Sequence, residues 1–239
     1  MLLFTSVTAF CEEWIQLFDG KSLEAWTPKF TGYPAGENLN ETFQVRDGKL
    51  VVDYSNWSVF KGEFGHLFYK TPYSHYRLRA EYRFIGEQVK TEGGDYEWAR
   101  RNNGLMIHGQ APEEMELDQE FPNSIEVQLL GGLGDGERAN LNACTPGTHI
   151  SLDGEVIQKH IIPSGGPTIE GDEWVAVEVL VEGSQRIQHI YNGEVVLEYT
   201  DVQLNDGTPV GGGTISIQAE TAPIEFRKIE LLPLKAEDE

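Results

Sequence analysis

Basic residues are scarce in this sequence, and their scarcity excludes whole classes of partner. The chain of 239 residues has 18 Lys and Arg against 39 Asp and Glu, which gives a formal net charge of -21. Nucleic acids and anionic membrane surfaces need a basic surface that neutralises phosphate, and the composition supplies none. The balance predicts a self-repelling protein whose ligand is neutral.

Cysteines and long apolar runs are also nearly missing. No apolar run approaches the ~18 residues of a transmembrane helix, so we expect no membrane span. The two cysteines are Cys11 and Cys144. The apolar start, Met1 to Cys11, is similar to the second half of a secretory signal but lacks a basic region. We expect residues 1–13 to be a leader or its remnant and the protein to be exported to the periplasm or the extracellular space of a bacterium. The alternative is a buried first strand. Without the leader, Cys144 would have no disulfide partner.

No segment has a helical period beyond two turns, whereas short alternating segments recur every 8–12 residues. Three turn signals, Asp47-Gly48, Asp153-Gly154 and Asn192-Gly193, predict hairpins with two-residue loops. The second is expected to pair Thr148 to Leu152 with Glu155 to His160. About a dozen strands predict an all-β, antiparallel sandwich or jelly roll. We expect one domain over residues 14–234 and a disordered tail over residues 235–239.

One segment, from Asn123 to Gly132, predicts a strand with an apolar face and a chemically active face. Side chains alternate across a strand, so Ile125, Val127 and Leu129 share one face while Glu126 and Gln128 share the other. If the second face were solvent, the carboxylate and the amide would be unremarkable. If it formed the floor of a cleft, they would be candidates for chemistry.

Two other segments have the same alternation and favour the cleft. In residues 102–109, Leu105 and Ile107 are expected on the core face, and Asn102, Gly104, Met106 and His108 on the other. In residues 214–220, Ser216, Gln218 and Glu220 lie opposite Ile215 and Ile217. Neither Lys nor Arg occurs on these faces. Planar amides and carboxylates match vicinal hydroxyl groups, so the pattern is typical of a sugar-binding surface.

From Trp14 to Leu234 the chain resembles the 3-keto-disaccharide hydrolase domain family, a group of concanavalin-like β-sandwiches. The resemblance rests on the order and spacing of six segments: LFDGKSL at 17–23, GHLFYK at 65–70, NNGLMIHG at 102–109, SIEVQLL at 124–130, CTPGTH at 144–149 and IEFRKI at 224–229. Two departures stand out. Asn103 replaces a serine, and Ala222 stands where close relatives have a histidine.

The resemblance implies cleavage of a glycosidic bond in a sugar oxidised at C3. The ketone acidifies the C2 proton, so a base can remove it, and the enolate can then expel the C1 oxygen before water adds. Such a site needs a base, a group that stabilises the enolate and an acid for the leaving group. It does not need two carboxylates that flank C1.

Glu126 is the first candidate, as base or metal-binding carboxylate, and His108 the second, as base, acid or ligand. Each could instead be a hydrogen-bonded structural residue. Other residues would bind substrate: Gln128, Gln218, Glu220 and Asn102 would orient hydroxyl groups, Tyr69, Lys70 and Trp57 would form a stacking wall with a positive group, and His149 and His160 would meet on paired strands. Trp57 could equally be a core residue.

A divalent metal stays open, because three histidines with Glu126 and Glu220 could bind one although no compact ligand spacing occurs. The cofactor expectation is therefore none certain. Cys144 lies in a turn-like segment with no sign of a paired base, which favours a buried structural cysteine. A lectin-like carbohydrate-binding module and a structural or adhesion domain are the alternatives to an enzyme. The aglycone, the anomer and the oligomeric state do not follow from the sequence.

Overall fold

The computed structural model describes residues 13–236. Residues 1–12 of the expected leader and residues 237–239 of the expected tail lie outside the described residues. In the described part, 17 strands form two antiparallel sheets, with three short 3-10 helices at Leu39–Glu41, Glu97–Ala99 and Pro112–Glu114. No helix of residues 13–236 is long and apolar enough to cross a membrane.

The strands follow one another in short steps, as the spacing of the turn signals predicts. In chain order they are β1 (Ile15–Gln16), β2 (Trp26–Phe30), β3 (Phe43–Arg46), β4 (Lys49–Val52), β5 (Gly65–Tyr69), β6 (His75–Phe84), β7 (Asn102–Gly109), β8 (Ile125–Leu130), β9 (Asn142–Cys144), β10 (Thr148–Leu152), β11 (Glu155–Ile157), β12 (Ile161–Ile162), β13 (Val175–Glu182), β14 (Arg186–Tyr191), β15 (Glu194–Leu204), β16 (Thr214–Ala219) and β17 (Ile224–Pro233).

The two sheets form a sandwich. The ten-stranded sheet has the order β11-β10-β15-β14-β13-β6-β17-β4-β3, with β1 added beside β17. The seven-stranded sheet has the order β12-β9-β8-β7-β16-β5-β2. The three segments singled out in the sequence are therefore neighbours, because β8, β7 and β16 lie side by side in the centre of the smaller sheet. The prediction of an antiparallel sandwich is confirmed.

The predicted hairpins form as the turn residues dictate. Asp47 and Gly48 have φ values of 51° and 72°, and Asn192 and Gly193 have values of 50° and 82°. Positive φ at both loop residues is the geometry that two-residue hairpins need, and Asn, Asp and Gly tolerate it best. β10 and β11 are joined in the same way by Asp153-Gly154.

One expected pairing is wrong. The strand after Asp153-Gly154 ends at Ile157, and the chain then crosses to the other sheet, where Ile161 pairs with Cys144. His149 pairs with Gln203 in the larger sheet instead. His149 and His160 therefore do not meet on paired strands, because the hairpin signal sets the turn but not where the second strand ends.

The core lies between the sheets and follows the predicted alternation. On β6 the inward residues Tyr76, Leu78 and Tyr82 are buried against the smaller sheet. Burying one such large side chain stabilises the fold by roughly 1.5–3 kcal/mol. The outward residues are ionic, and both Arg77 and Arg79 pair with Glu178 of β13. Ion pairs this exposed contribute ~0–1 kcal/mol, so apolar burial dominates the stability of the sandwich.

Candidate active site

The outer face of the smaller sheet is polar, yet it is buried. Ser216 and Gln218 of β16 are fully buried although they lie opposite the core residues of that strand. The segment 110–122 lies against this side of the neighbouring strands: the Phe121 ring lies 5.7 Å from the His66 ring, and Lys29 Nζ donates a hydrogen bond of 3.0 Å to Leu117 O. The face is therefore neither solvent nor core, and polar groups on it need specific partners.

A cavity of about 300 Å³ opens at one end of this face, and we call it the carboxyl cavity. Its polar wall comes from four neighbouring parts of the sheet, namely β8, β7, β9 and the residue directly after β16. The residues that line it are Glu126, Gln128, Asn102, Cys144 and Glu220, together with Trp98, Phe121, Pro146, His160 and Ile161. The alternation of β8 therefore does place Glu126 and Gln128 on the floor of a cleft.

Strand register and one glycine set the position of Glu126. Glu126 pairs with Met106 of β7 on one side and with Cys144 of β9 on the other. Its side chain leans over Gly104, because a Cβ atom added to Gly104 would lie 2.4 Å from Glu126 Cγ. Any side chain at position 104 would displace the carboxyl group, so the space that it occupies depends on that glycine.

The two carboxyl groups of the cavity are held in an environment that disfavours their charge. Burial raises the pKa of Glu126 to about 8, although the Cys144 thiol and the Gln218 amide oppose the rise. Burial and the negative charge of Glu126 raise the pKa of Glu220 well above its ordinary value. Burial also raises the pKa of the Cys144 thiol, so it is no thiolate nucleophile at neutral pH. Two carboxyl groups that repel each other share a proton rather than ionise together.

Among the described residues, the cation Arg138 lies close enough to this pair to affect a pKa, but its guanidinium already donates hydrogen bonds elsewhere. Arg138 lowers the pKa of Glu220, but less than burial raises it. Its guanidinium donates to backbone carbonyl groups, including Gly131 O at 2.8 Å and Trp98 O at 3.1 Å. Arg138 thus fixes the loop that carries Trp98 and leaves the carboxyl pair only partly neutralised.

Several polar atoms around the cavity have no hydrogen-bond partner among the described residues. They include Asn102 Oδ1, Glu126 Oε1 and Glu220 Oε2. The Gln218 amide is close enough to Glu126 to lower the pKa of that carboxyl. Neither side-chain polar atom of Gln218, however, makes a hydrogen bond of ordinary geometry among the described residues. Each unpartnered buried group costs about 1–3 kcal/mol. Such a concentration in one cavity is typical of a site that binds a polar ligand.

The backbone beside Glu220 is strained. Thr221 has a φ of 114°, a region that a β-branched residue rarely adopts. Its backbone N–H donates to Tyr54 Oη at 2.8 Å, which holds this conformation in place. Strain of this kind costs on the order of 1–3 kcal/mol and is concentrated at functional sites.

The rim of the cavity is apolar and partly exposed. Trp98 is 49% exposed, and its ring stacks on Phe64 with 29° between the planes. Ile161, which also lines the cavity, is exposed as well. The sequence pattern does not predict Trp98 and Phe121 as cavity residues. An aromatic residue within the polar loop 87–101 was the available signal, because such a ring cannot belong to a regular core strand.

The structure brings some expected site residues together and separates others. Glu126, Gln128, Asn102 and Glu220 line the carboxyl cavity, and Gln218 lies beside it. His160 lies at its rim through the strand crossing described above rather than through pairing with His149. Ala222 is buried in the hydrophobic core and does not line the cavity.

The expected place of His108 is wrong. His108 has a φ of 53°, and the register of β7 with β16 shifts at this point, so the alternation breaks before it reaches His108. Its Nε2 atom lies 2.9 Å from Gly183 O in a turn of the larger sheet. A larger cavity of about 700 Å³ is lined by His108, Tyr69 and Lys70, away from the two carboxyl groups.

Trp57 does not form a stacking wall. Its ring is in the core, and its Nε1 donates a hydrogen bond of 2.9 Å to Thr42 Oγ1. His149 belongs to the larger sheet and is likewise outside the carboxyl cavity. Within residues 13–236, no group of three or more His, Cys, Asp or Glu side chains is arranged to hold a metal ion.

The model of the 3-keto-alpha-glucoside-1,2-lyase-like domain matches residues 13–232. The chain belongs to this family. The resemblance that the sequence motifs carried is thereby confirmed. No curated protein is detectably similar to the chain in sequence.

Solved structures agree with this family in fold. One, from Parabacteroides distasonis ATCC 8503 and provisionally described as a glycosyl hydrolase, is 17% identical with a TM-score of 0.57, over 93% of this chain and 100% of that one. A protein of unknown function with a galectin-like fold, from Bacillus subtilis, is 10% identical with a TM-score of 0.59, over 92% and 94% of the two chains. The exoplasmic/lumenal domain of VIP36, in its Ca2+/Man3GlcNAc-bound form, is 11% identical with a TM-score of 0.55, over 96% and 91%. At these identities the likeness concerns the fold alone.

Proposed function

We propose that this protein is a carbohydrate-active enzyme that cleaves the glycosidic bond of 3-keto-glycosides, including 3-keto-disaccharides, by elimination across C1 and C2 and then hydration. One observation supports this more than any other. Two buried carboxyl groups, Glu126 and Glu220, lie at one small cavity and both have raised pKa values. Once Glu126, with a pKa of about 8, has lost its proton, the pair holds one proton and can supply a base and an acid.

The reaction needs two proton transfers at opposite ends of one bond. A carboxylate removes the proton on C2, and the electrons of that C–H bond form an enolate with the C3 ketone. The enolate expels the C1 oxygen, which takes a proton from a carboxylic acid, and a C1=C2 double bond forms. Water then adds its hydroxyl group to C1 and its proton to C2, so the net reaction is a hydrolysis.

We assign the base to Glu126 and the acid to Glu220. The charge of an ionised Glu126 raises the pKa of Glu220, so the second carboxyl keeps its proton while the first is free to accept one. Gln128 fits the third role. Its Oε1 accepts a hydrogen bond of 3.0 Å from Asn142, so its amide N–H groups are left for the enolate oxygen.

The leading alternative is a lectin-like carbohydrate-binding module, because VIP36 has this fold and its structure contains Man3GlcNAc. A module that only binds sugar has no use for two buried carboxyl groups whose ionised forms repel each other. Such a module would use an exposed aromatic residue such as Trp98, which also lines the cavity, and would not need the carboxyl pair.

Incubation with a 3-keto-disaccharide separates the two. The enzyme should release the leaving sugar, and Glu126→Gln should lower that rate at least 1,000-fold, which is within the range for a lost general base. Saturable binding without any released sugar would contradict the proposal. The exposed Glu194 gives a matched control, since Glu194→Gln should leave the rate unchanged.

We also propose that the enzyme is exported, on the basis of the apolar start from Met1 to Cys11. Sequencing the amino terminus of protein expressed in its full form tests this. A mature chain that still begins at Met1 would contradict it.

A further inference from the structure

Beside the carboxyl cavity, two polar side chains are fully buried and have none of their hydrogen bonds satisfied. They are Gln218 of β16 and His66 of β5, which are direct partners across the two strands. Both side-chain atoms of Gln218 and both ring nitrogens of His66 lack a partner among residues 13–236. Four such atoms on one adjacent pair are an unusual concentration, and the fold itself gives no reason for it.

The chemistry of this pair suits a neutral polyhydroxy ligand. Burial lowers the pKa of His66 to about 3, so its ring is neutral, with one donor and one acceptor. The Gln218 amide also offers both a donor and an acceptor. The nearby ammonium of Lys29, which pairs with His66 in the register, is engaged by Phe30 O at 2.8 Å and Leu117 O at 3.0 Å. An anionic ligand would therefore find no free cation here.

The pair does not line the carboxyl cavity, but each of its residues has a neighbour that does. Gln218 faces Glu126 closely enough to lower its pKa. Phe121 lines the carboxyl cavity and also lies 5.7 Å from the His66 ring, edge to face. A volume of about 300 Å³ is at the lower end of small-molecule sites, which span roughly 300–1,000 Å³, so this cavity suits one sugar ring better than two.

We propose that Gln218 and His66 form a second sugar subsite that binds the leaving sugar of a disaccharide when the Phe121 ring moves aside. This inference rests on the proposed function, because it adds a leaving-group subsite to the same cavity. The hydroxyl groups of the leaving sugar satisfy the four unpartnered atoms. The subsite makes the protein selective for disaccharides over glycosides with a small leaving group.

The test measures binding separately from turnover. In the Glu126→Gln background, the dissociation constants of a 3-keto-disaccharide and of methyl 3-keto-glucoside are measured by calorimetry. The disaccharide should bind at least tenfold more tightly. Adding His66→Leu or Gln218→Leu should reduce that ratio to below threefold. His75→Leu, which removes an imidazole from β6 of the larger sheet, should leave it unchanged.

Stability supplies a second readout. Removing an unpartnered buried imidazole relieves a desolvation penalty, so His66→Leu should not lower the melting temperature. Should that variant fail to fold, Gln218→Leu carries the binding test.

The outcomes distinguish the subsite from the enzyme. A ratio that stays the same in both variants, or no measurable binding of either sugar, overturns the subsite. If the wild-type protein also releases no sugar while the ratio still falls in the variants, the subsite stands and the proposed reaction fails. If turnover occurs and neither His66→Leu nor Gln218→Leu changes the ratio of the two dissociation constants, the reaction stands and the subsite fails.

Discussion

At the scale of single residues, Glu126 is deeply buried although it carries a carboxyl group, and burial destabilises the ionised form that a base needs. The residue is 5% exposed, and its Oε1 has no partner among the described residues. The residue therefore reduces stability in the native structure, which is expected of a group retained for chemistry.

The linkage between protonation and folding makes that conflict measurable. The pKa of Glu126 is about 8 in the folded chain against 4.5 in the unfolded one, so the folded protein binds the proton more tightly. The stability from this group is complete below about pH 4.5 and is lost as the pH rises through about 8. Glu126→Gln removes this dependence. Its melting temperature should match wild type near about pH 4.5 and exceed it by several degrees near about pH 8.

Thermal scans across this range, with Glu194→Gln as the exposed control, check the prediction. If the difference in melting temperature between Glu126→Gln and wild type were the same at every pH, the pKa of Glu126 would not be raised in the folded protein.

The same pKa sets the pH dependence of turnover. If ionised Glu126 is the base, kcat/KM should rise with pH through about 8 rather than through about 4.5. A pH profile of the release of the leaving sugar from a 3-keto-disaccharide measures this. A rate that is already at its plateau near about pH 6 would contradict the raised pKa.

Sequence reading located the carboxyl cavity but not all of it. Alternation on one strand identified Glu126 and Gln128, and it held because β8 is regular throughout. His108 could not be placed, since a local shift in register reverses a side chain without changing the residue pattern. Trp98 lies in a 3-10 helix of only three residues, which is too short for any period to predict the direction of its side chain. The unpartnered state of His66 depends on contacts between elements, which no local pattern contains.

At the scale of elements, the site depends on how β7 supports β8. Gly104 has no side chain, and the carboxyl group of Glu126 occupies that space. Gly104→Ala should push the carboxyl aside and lower kcat/KM by on the order of 10–100-fold, because misplacement by about an ångström suffices for such a loss. Gly211→Ala is the matched control, since a Cβ atom there would meet nothing within 4 Å. Equal values of kcat/KM in the two variants would contradict this account of how Glu126 is positioned.

Turn chemistry explains why the hairpins were predictable while the crossing was not. Asn-Gly and Asp-Gly pairs dictate a local backbone geometry, so the turn follows from two residues. The change of sheet between β11 and β12 depends on Ile161 pairing with Cys144, a contact across 17 residues that no turn signal encodes.

At the scale of the whole molecule, the net charge of -21 is a source of self-repulsion. Salt screens exposed charges, and the Debye length falls from about 30 Å at ~0.01 M to about 10 Å at ~0.1 M. The melting temperature should therefore rise over this range, while the KM for a neutral keto-sugar should stay the same. Calorimetry and kinetics at the two ionic strengths check both expectations. A KM that rises with salt would point to a charged ligand.

Hydrogen exchange at C2 of the substrate tests the central claim most directly. A 3-keto-disaccharide is incubated in heavy water with the wild-type protein or with Glu126→Gln, and the products are followed by NMR. The account predicts that the wild type releases the leaving sugar and leaves deuterium on C2 of the keto-sugar, and that the variant does neither. Release of the leaving sugar with hydrogen retained at C2, or at an unchanged rate in the variant, would contradict it.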